Sequence, residues 1–374
     1  MYELNLTYQP STVSPPGSTL LELLEERGIT QTELARRMGR PLNPINEMIL
    51  GAKEITEDTA LELERVLGTP AHFWLAREAN YREFLARQRD AVRMPERLEW
   101  LDSFPLKQLQ KIGKLPAGTL TSAFKATLIE PVLRYFGVAS PQGWEKQYLT
   151  VQAAFRRSNP AKQTNYAAIT AWLRLGELDA QTAIQSGDLP AYNTEKLQAS
   201  VSAMRALSTR PAAEIGQGLK TLCAEAGVIL LFVAPFSGTH VSGVARWLGD
   251  RPLIQLSLLG KWNDMFWFNF FHEVAHILKH PKRAVFLDDA SSGAAVESKE
   301  EKEANQFAAD VLLTAADRRR LGEIDLTAAS IRAFAAEVNI HPGIVVGCLQ
   351  HMGLVGYASP LTNLKDRYQL APTA

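Results

Sequence analysis

The stretch Phe266-Trp-Phe-Asn-Phe-Phe-His-Glu-Val-Ala-His-Ile-Leu-Lys-His280 places His272 and His276 four residues apart, with Glu273 beside the first. On an α-helix, residues i and i+4 lie one above the other on a single face. Two imidazoles placed this way can both reach one tetrahedral Zn2+, and the intervening glutamate stands where it can take a proton from a bound water. Asp264 is the expected N-cap, and the small Ala275 lets another element approach closely. The run of Phe266, Trp267, Phe268, Phe270 and Phe271 marks the helix as buried. Two histidines and a glutamate inside such a helix need partners, because unpaired buried polar groups are costly. A metal is one such partner.

Two histidines leave a zinc site incomplete; a third ligand must come from elsewhere, with a fourth position open to water. The acidic segment Glu297-Ser-Lys-Glu-Glu-Lys-Glu-Ala-Asn-Gln-Phe-Ala-Ala-Asp-Val-Leu-Leu313 is the nearest source. Its apolar positions Ala304, Phe307, Ala308, Val311 and Leu312 recur at helical spacing and define a buried face. Carried back one turn, that face reaches Glu300 and Glu301. Glu301 shares it with Ala304, Asn305 and Ala308, so Glu301 is the expected ligand and Asn305 a residue that could steady the ligands. Glu297 and Glu303 read as a solvated helix start favoured by the macrodipole, and a change of phase would exchange Glu301 for Glu300 or Glu303. His280 extends the histidine stripe by one turn but drifts off the shared face, and reads as a cation at a helix C-terminus.

An H-E-x-x-H motif followed by E-x-x-A-N-x-F-A-x-x-x-L resembles the ImmA/IrrE metallopeptidases. The resemblance takes in at least residues 220–350, including Gly238-Thr-His-Val-Ser-Gly-Val-Ala-Arg-Trp-Leu248, Pro252-Leu-Ile-Gln-Leu-Ser-Leu258 and Ile340-His-Pro-Gly-Ile-Val-Val-Gly347. It implies a zincin-like domain in which His272, His276 and Glu301 hold one zinc ion per chain and Glu273 is the catalytic base. It also implies a regulatory protein as substrate. Substrates of zincins lie extended along an edge strand, which the resemblance places at Gly243 to Trp247. Arg246 is then either part of that edge or an ordinary surface charge. His240 and His341 fall in expected loops, as surface or capping histidines or as stabilisers of an oxyanion.

Composition bounds the rest. A chain of 374 residues with 46% hydrophobic content is an ordinary globular chain of two or three domains. Lysine plus arginine equals aspartate plus glutamate, so no overall charge points to nucleic acid or membrane. The two cysteines, Cys223 and Cys348, offer no disulfide framework and no thiolate-held zinc, which suits a reducing cytoplasm. The N-terminus lacks a basic and then apolar signal pattern, and the longest apolar run, Val228 to Phe236, is too short to span a bilayer.

Ahead of the metal motif, residues 1–17 read as a loose arm with Pro10, Pro15 and Pro16. Five short helices follow over residues 18–88. The first starts at Ser18, Gly28, Gly39, Gly51 and Gly68 act as stops, and the fifth starts at Pro70. Gln31-Thr-Glu-Leu-Ala-x-x-Met-Gly and Ile45-x-x-x-Ile49-x-Gly51 resemble a Cro/repressor-like helix-turn-helix, and Gly68-Thr-Pro-x-x-Phe-Trp-Leu narrows this to the HigA-type antitoxin branch. That resemblance implies binding to duplex DNA as a homodimer. Asn43 and Asn46 would read bases, with Gln31, Arg40 and Lys53 on phosphates. Pro44 cannot donate a backbone hydrogen bond, so the recognition helix is expected to start there with Asn43 as its cap. Over Ser18–Leu75 six basic residues face ten acidic ones, so general phosphate attraction should be poor. Residues 89–207 read as a helical spacer without a motif, packing on a C-terminal peptidase domain over 208–374.

The resulting expectation is an α+β, predominantly helical chain: a five-helix helix-turn-helix domain, a helical spacer and a zincin-like domain with a small sheet. Functionally it is a cytoplasmic zinc endopeptidase acting on a repressor or toxin–antitoxin component. The competing reading is a non-catalytic regulator or antitoxin whose zinc domain senses or docks. The base Glu273 favours the peptidase, since purely structural zinc does not need it.

Overall fold

A computed structural model describes residues 12–91, 94–158, 165–239, 241–257, 262–280, 286–289 and 298–368. The chain divides into two compact units, Met1–Arg97 and Leu98–Ala374. Helices predominate and one small sheet completes an α+β architecture.

The first unit holds α1 (Pro16–Glu26), α2 (Gln31–Met38), α3 (Leu42–Ile49), α4 (Glu57–Leu67) and α5 (Ala71–Ala91). Thr30 caps α2 by accepting from the Glu33 N–H at 3.1 Å, and Thr56 caps α4 in the same way. Gly39 and Gly68 close those helices in the left-handed conformation, with φ of 64° and 68°. The apolar stripes of all five helices meet in one core of Leu20, Leu24, Leu34, Ala35, Ile45, Met48, Leu63, Leu67 and Trp74. At Gly17 the backbones nearly touch: an added methyl would stand 2.2 Å from the Met48 carbonyl oxygen.

Three boundaries differ from the sequence reading. The first helix starts at Pro16 rather than Ser18, and residues 1–11 of the expected arm lie outside the described residues. The third starts at Leu42 after Pro41, so Asn43 is not its cap and Pro44 is its third residue. Proline is tolerated there because first-turn N–H groups have no intrahelical partner anyway. The fifth starts at Ala71 rather than Pro70 and runs on to Ala91, past the expected boundary at 88/89.

In the second unit, α6 (Met94–Asp102) contains the division, and α7 (Leu106–Lys111), α8 (Ser122–Phe136), α9 (Pro141–Ser158), α10 (Tyr166–Gln185), α11 (Thr194–Ala206) and α12 (Ala212–Glu225) follow. Then come β1 (Ile229–Phe232), β2 (Val241–Leu248), β3 (Arg251–Leu256), α13 (Asn263–Lys279), β4 (Phe286–Asp289), α14 (Lys299–Leu312), α15 (Ala315–Leu321), α16 (Ala328–Glu337) and α17 (Pro342–His351). The strand order is β1-β3-β2-β4, with β1 parallel to β3 and the other pairs antiparallel.

Side-chain alternation gives the sheet two covered faces. Leu230, Ile254 and Leu256 join Phe270, Phe271 and Val274 of α13 in the main core. On the opposite face Gln255 donates to the Trp172 carbonyl of α10 at 2.8 Å, and Arg246 pairs with Glu177 of α10 at 2.6 Å. The sequence reading set a boundary at 207/208, yet residues 98–207 group with the rest of this unit. Helix α10 explains why: Ala167, Ala168, Ile169, Ala171, Trp172 and Leu173 are all buried, so it is covered on nearly every side.

The expected edge strand is also corrected. Along Val241–Ala245 the outer place belongs to β4, so Gly243 lies inside the sheet. Arg246 is neither an edge residue nor a surface charge. It is buried, held by Glu177 and by the Leu173 carbonyl.

Candidate metal centre

Helix α13 carries the motif through the middle of the core. Trp262, not Asp264, stands before its first residue; Asp264 lies in the first turn and accepts from Lys365 Nζ at 2.6 Å. Everything from Phe270 to Ile277 is buried, including His272, Glu273 and His276. Helix α14 lies alongside α13. Its buried Ala304 and Ala308, like Ala275 of α13, are small enough to let the backbones come close. Ser298 caps α14 by accepting from the Glu301 N–H at 3.2 Å, which fixes where the glutamate run begins.

The structure brings His272, His276 and Glu301 together, with one ligand atom of each inside a 4.8 Å span. The two Nε2 atoms are 2.9 Å apart. Glu301 Oε2 lies 3.2 Å from His272 Nε2, and Oε1 lies 3.8 Å from His276 Nε2. Three donors of this chemistry converging from two helices suit a tetrahedral zinc with one open position. The hydrogen bonds around them suit it too. Asn305 Oδ1 is 2.9 Å from His272 Nδ1 and can only accept, so the proton sits on Nδ1 and Nε2 keeps its lone pair for a metal. Burial first, then the neighbouring His272 and His280, push His276 down to about 2, leaving it the neutral imidazole that a metal ligand must be.

Glu273 is fully buried, and its carboxylate rests against β2. A methyl at Gly243 would stand 2.6 Å from Glu273 Oε1. Gly243 therefore makes room for the carboxylate. Glu303 does not join the three ligands; it turns toward His280, with 3.4 Å between Oε2 and Nε2. His280 stands at the end of the helix, as expected, but its ring turns inward. It is buried at the end of α13, with its Nδ1 2.8 Å from His276 Nδ1. The i+4 stripe was the available signal for this link, but only the helix end shows that the ring turns inward. His341 caps α17, bonded to the Gly343 N–H, Asn263 and Asp366, and burial lowers its pKa despite the aspartate. His240 and Glu297 lie outside the described residues.

In the first unit, Asn43 and Lys53 are exposed and Gln31, at the start of α2, is half-buried. Asn46 is half-buried, and its Oδ1 has no hydrogen-bond partner among the described residues. Arg40 is engaged by Glu62, with contacts of 2.6 and 3.2 Å. Glu33 likewise holds Arg36 and Arg37, and these two guanidinium groups bring its carboxyl down to about 2. Among the described residues no helix is long and apolar enough to cross a membrane.

A buried helix with two histidines, a glutamate on its neighbour and a small sheet alongside define a metallopeptidase-like domain. Residues 224–323 match the family model of the IrrE N-terminal-like domain, and residues 20–74 match a helix-turn-helix family model. No curated protein matches the chain. Among the solved structures that match, three are each similar over 22% of this chain. One is described as an antidote protein of a plasmid maintenance system from Nostoc punctiforme (25% identity, 92% of that chain, TM-score 0.22). Another is an addiction module antidote protein of the HigA family from Coxiella burnetii (30%, 91%, 0.21). The third is the antitoxin HigA of Pseudomonas aeruginosa with the higBA promoter (26%, 91%, 0.21). By these family models the first unit carries a helix-turn-helix domain and the second a domain similar to the IrrE-like peptidases.

Proposed function

We propose that the chain is a zinc-dependent endopeptidase that cuts a regulatory protein, a repressor or a component of a toxin–antitoxin pair, and that its first unit binds duplex DNA as a homodimer. The carrying observation is the convergence of His272, His276 and Glu301 beside the buried Glu273. A zinc ion held by these three residues would polarise the scissile carbonyl and acidify water. Glu273 would accept the proton of the attacking water at its carboxylate and deliver it to the leaving amine. Asn305 holds His272 in the ligand tautomer, and the packed faces of α13 and β2 keep Glu273 from rotating away.

Metal analysis of the purified protein tests the first half: about one zinc per chain is expected. The second half is tested by comparing newly generated peptide N-termini in cells producing the wild type or Glu273→Gln. Glu273→Gln should retain zinc and lose the cleavage. The same new N-termini appearing with both proteins would exclude Glu273 as the base and favour a zinc domain that senses or docks.

A further inference from the structure

We propose that His280 and Glu303 are positioning residues for His276, forming a relay that fixes which of its nitrogens faces the metal. The inference rests on the zinc reading above. His276 Nε2 is the nitrogen turned to the site, 2.9 Å from His272 Nε2 and 3.8 Å from Glu301. To offer a lone pair there, His276 must carry its proton on Nδ1. That Nδ1 lies 2.8 Å from His280 Nδ1. Only one of two facing nitrogens can hold the proton, so His280 Nδ1 accepts and its own proton moves to Nε2. His280 Nε2 in turn faces Glu303 Oε2 at 3.4 Å, and a carboxylate accepts. Each tautomer in the row follows from the next, and the row ends on a negative charge.

The backbone supports this arrangement. His280 lies where α13 ends; its N–H still bonds the His276 carbonyl at 3.2 Å, while its own backbone turns extended, with φ −111° and ψ 158°. The ring is thereby buried, its centroid 4.9 Å from that of His276. Helix α14 supplies both carboxylates. Residues two apart on a helix point about 200° apart, at about 100° per residue, so Glu301 serves the metal side and Glu303 the relay side. The two ligand histidines are held differently: His272 by one amide, His276 by a second imidazole backed by a carboxylate.

Zinc affinity measured by competition with a chromophoric chelator tests the relay, with the absorption spectrum of the Co2+-loaded protein as a second readout. His280→Ala should weaken zinc binding about 10- to 100-fold, the range for loss of a group behind a ligand. His280→Asn should restore most of it, because its amide oxygen falls near the Nδ1 position. Glu303→Ala, at a half-exposed site, should weaken binding less. Combined with His280→Ala it should add nothing, because Glu303 acts through His280. Wild-type affinity and an unchanged Co2+ spectrum in both single alanine variants would overturn the relay, as would a double variant whose losses simply add. A wild type that binds no zinc while Glu301→Ala behaves identically would instead overturn the metal site itself.

Discussion

Gly243→Ala probes Glu273, the proposed proton-transfer group, separately from His272, His276 and Glu301, the proposed metal ligands. The new methyl would stand 2.6 Å from Glu273 Oε1 and 2.8 Å from Leu256 Cδ2. Ordinary contact begins near 3.4 Å, so the carboxylate must retreat by about 0.8 Å. Both obstructing atoms are side-chain ends, so the stability loss should sit at the low end of the roughly 1–3 kcal/mol typical of overpacking. At about 2–4 °C per kcal/mol, melting should fall by a few degrees. Displacing a reacting group by about 1 Å costs on the order of 100-fold in rate. Zinc content should stay at the wild-type level, because the atoms nearest the new methyl belong to Glu273 and Leu256 and not to His272, His276 or Glu301. The assay is turnover of the cleaved partner, with metal analysis and a thermal melt on the same preparation. Full turnover would refute the placement of Glu273 against β2; loss of zinc together with activity would refute the claim that the glycine acts through Glu273.

Three further outcomes follow from the geometry. Glu177→Ala strands the buried Arg246 without its carboxylate, and should destabilise the second unit by about 3 kcal/mol, read as a lowered melting temperature; Arg246→Met, which removes the charge with the pair, should be milder. Glu62→Ala releases Arg40, so duplex DNA binding followed by fluorescence anisotropy should strengthen at low salt, with the log–log salt slope steeper by about 1; an unchanged slope would mean that Arg40 is not at a phosphate. Removing zinc with a chelator should lower the melting temperature, since a ligand at 100 times its dissociation constant stabilises by about 2.7 kcal/mol; an unchanged melt would speak against a metal held in the core.

What could be read from the residues was what helical periodicity encodes. The i, i+4 pair His272 and His276 and the buried face through Ala304 and Ala308 each depend only on the geometry of one helix. Phasing α14 on its alanines puts Glu301 rather than Glu303 on the face toward the two histidines, and the two helices meet with that phase. What was not legible depends on pairs of elements distant in the chain. Strand β4 is four residues, Phe286-Leu-Asp-Asp289, with no alternation to announce it, so β2 passed for an edge. Arg246 looks like any strand arginine until α10 brings Glu177 to it across 69 residues. His280 needed the helix to stop at residue 279; had α13 continued, its ring would have followed the stripe off the shared face.

The first unit shows the same limit in its charges. Counting residues predicts poor phosphate attraction, but a count treats every arginine as available. In the structure Arg36 and Arg37 share Glu33, and Arg40 is gripped by Glu62, so three of the six basic residues of Ser18–Leu75 already have carboxylate partners. Each must exchange that partner for a phosphate before it can add to binding, and the exchange gains little where both partners are half-exposed. On the proposed reading, duplex binding through this unit would draw on Asn43 and Lys53, which are exposed around α3, and on the doubled contacts that a homodimer would bring. Such an interface would be only weakly salt-dependent per protomer, because few counterions are released for each chain bound.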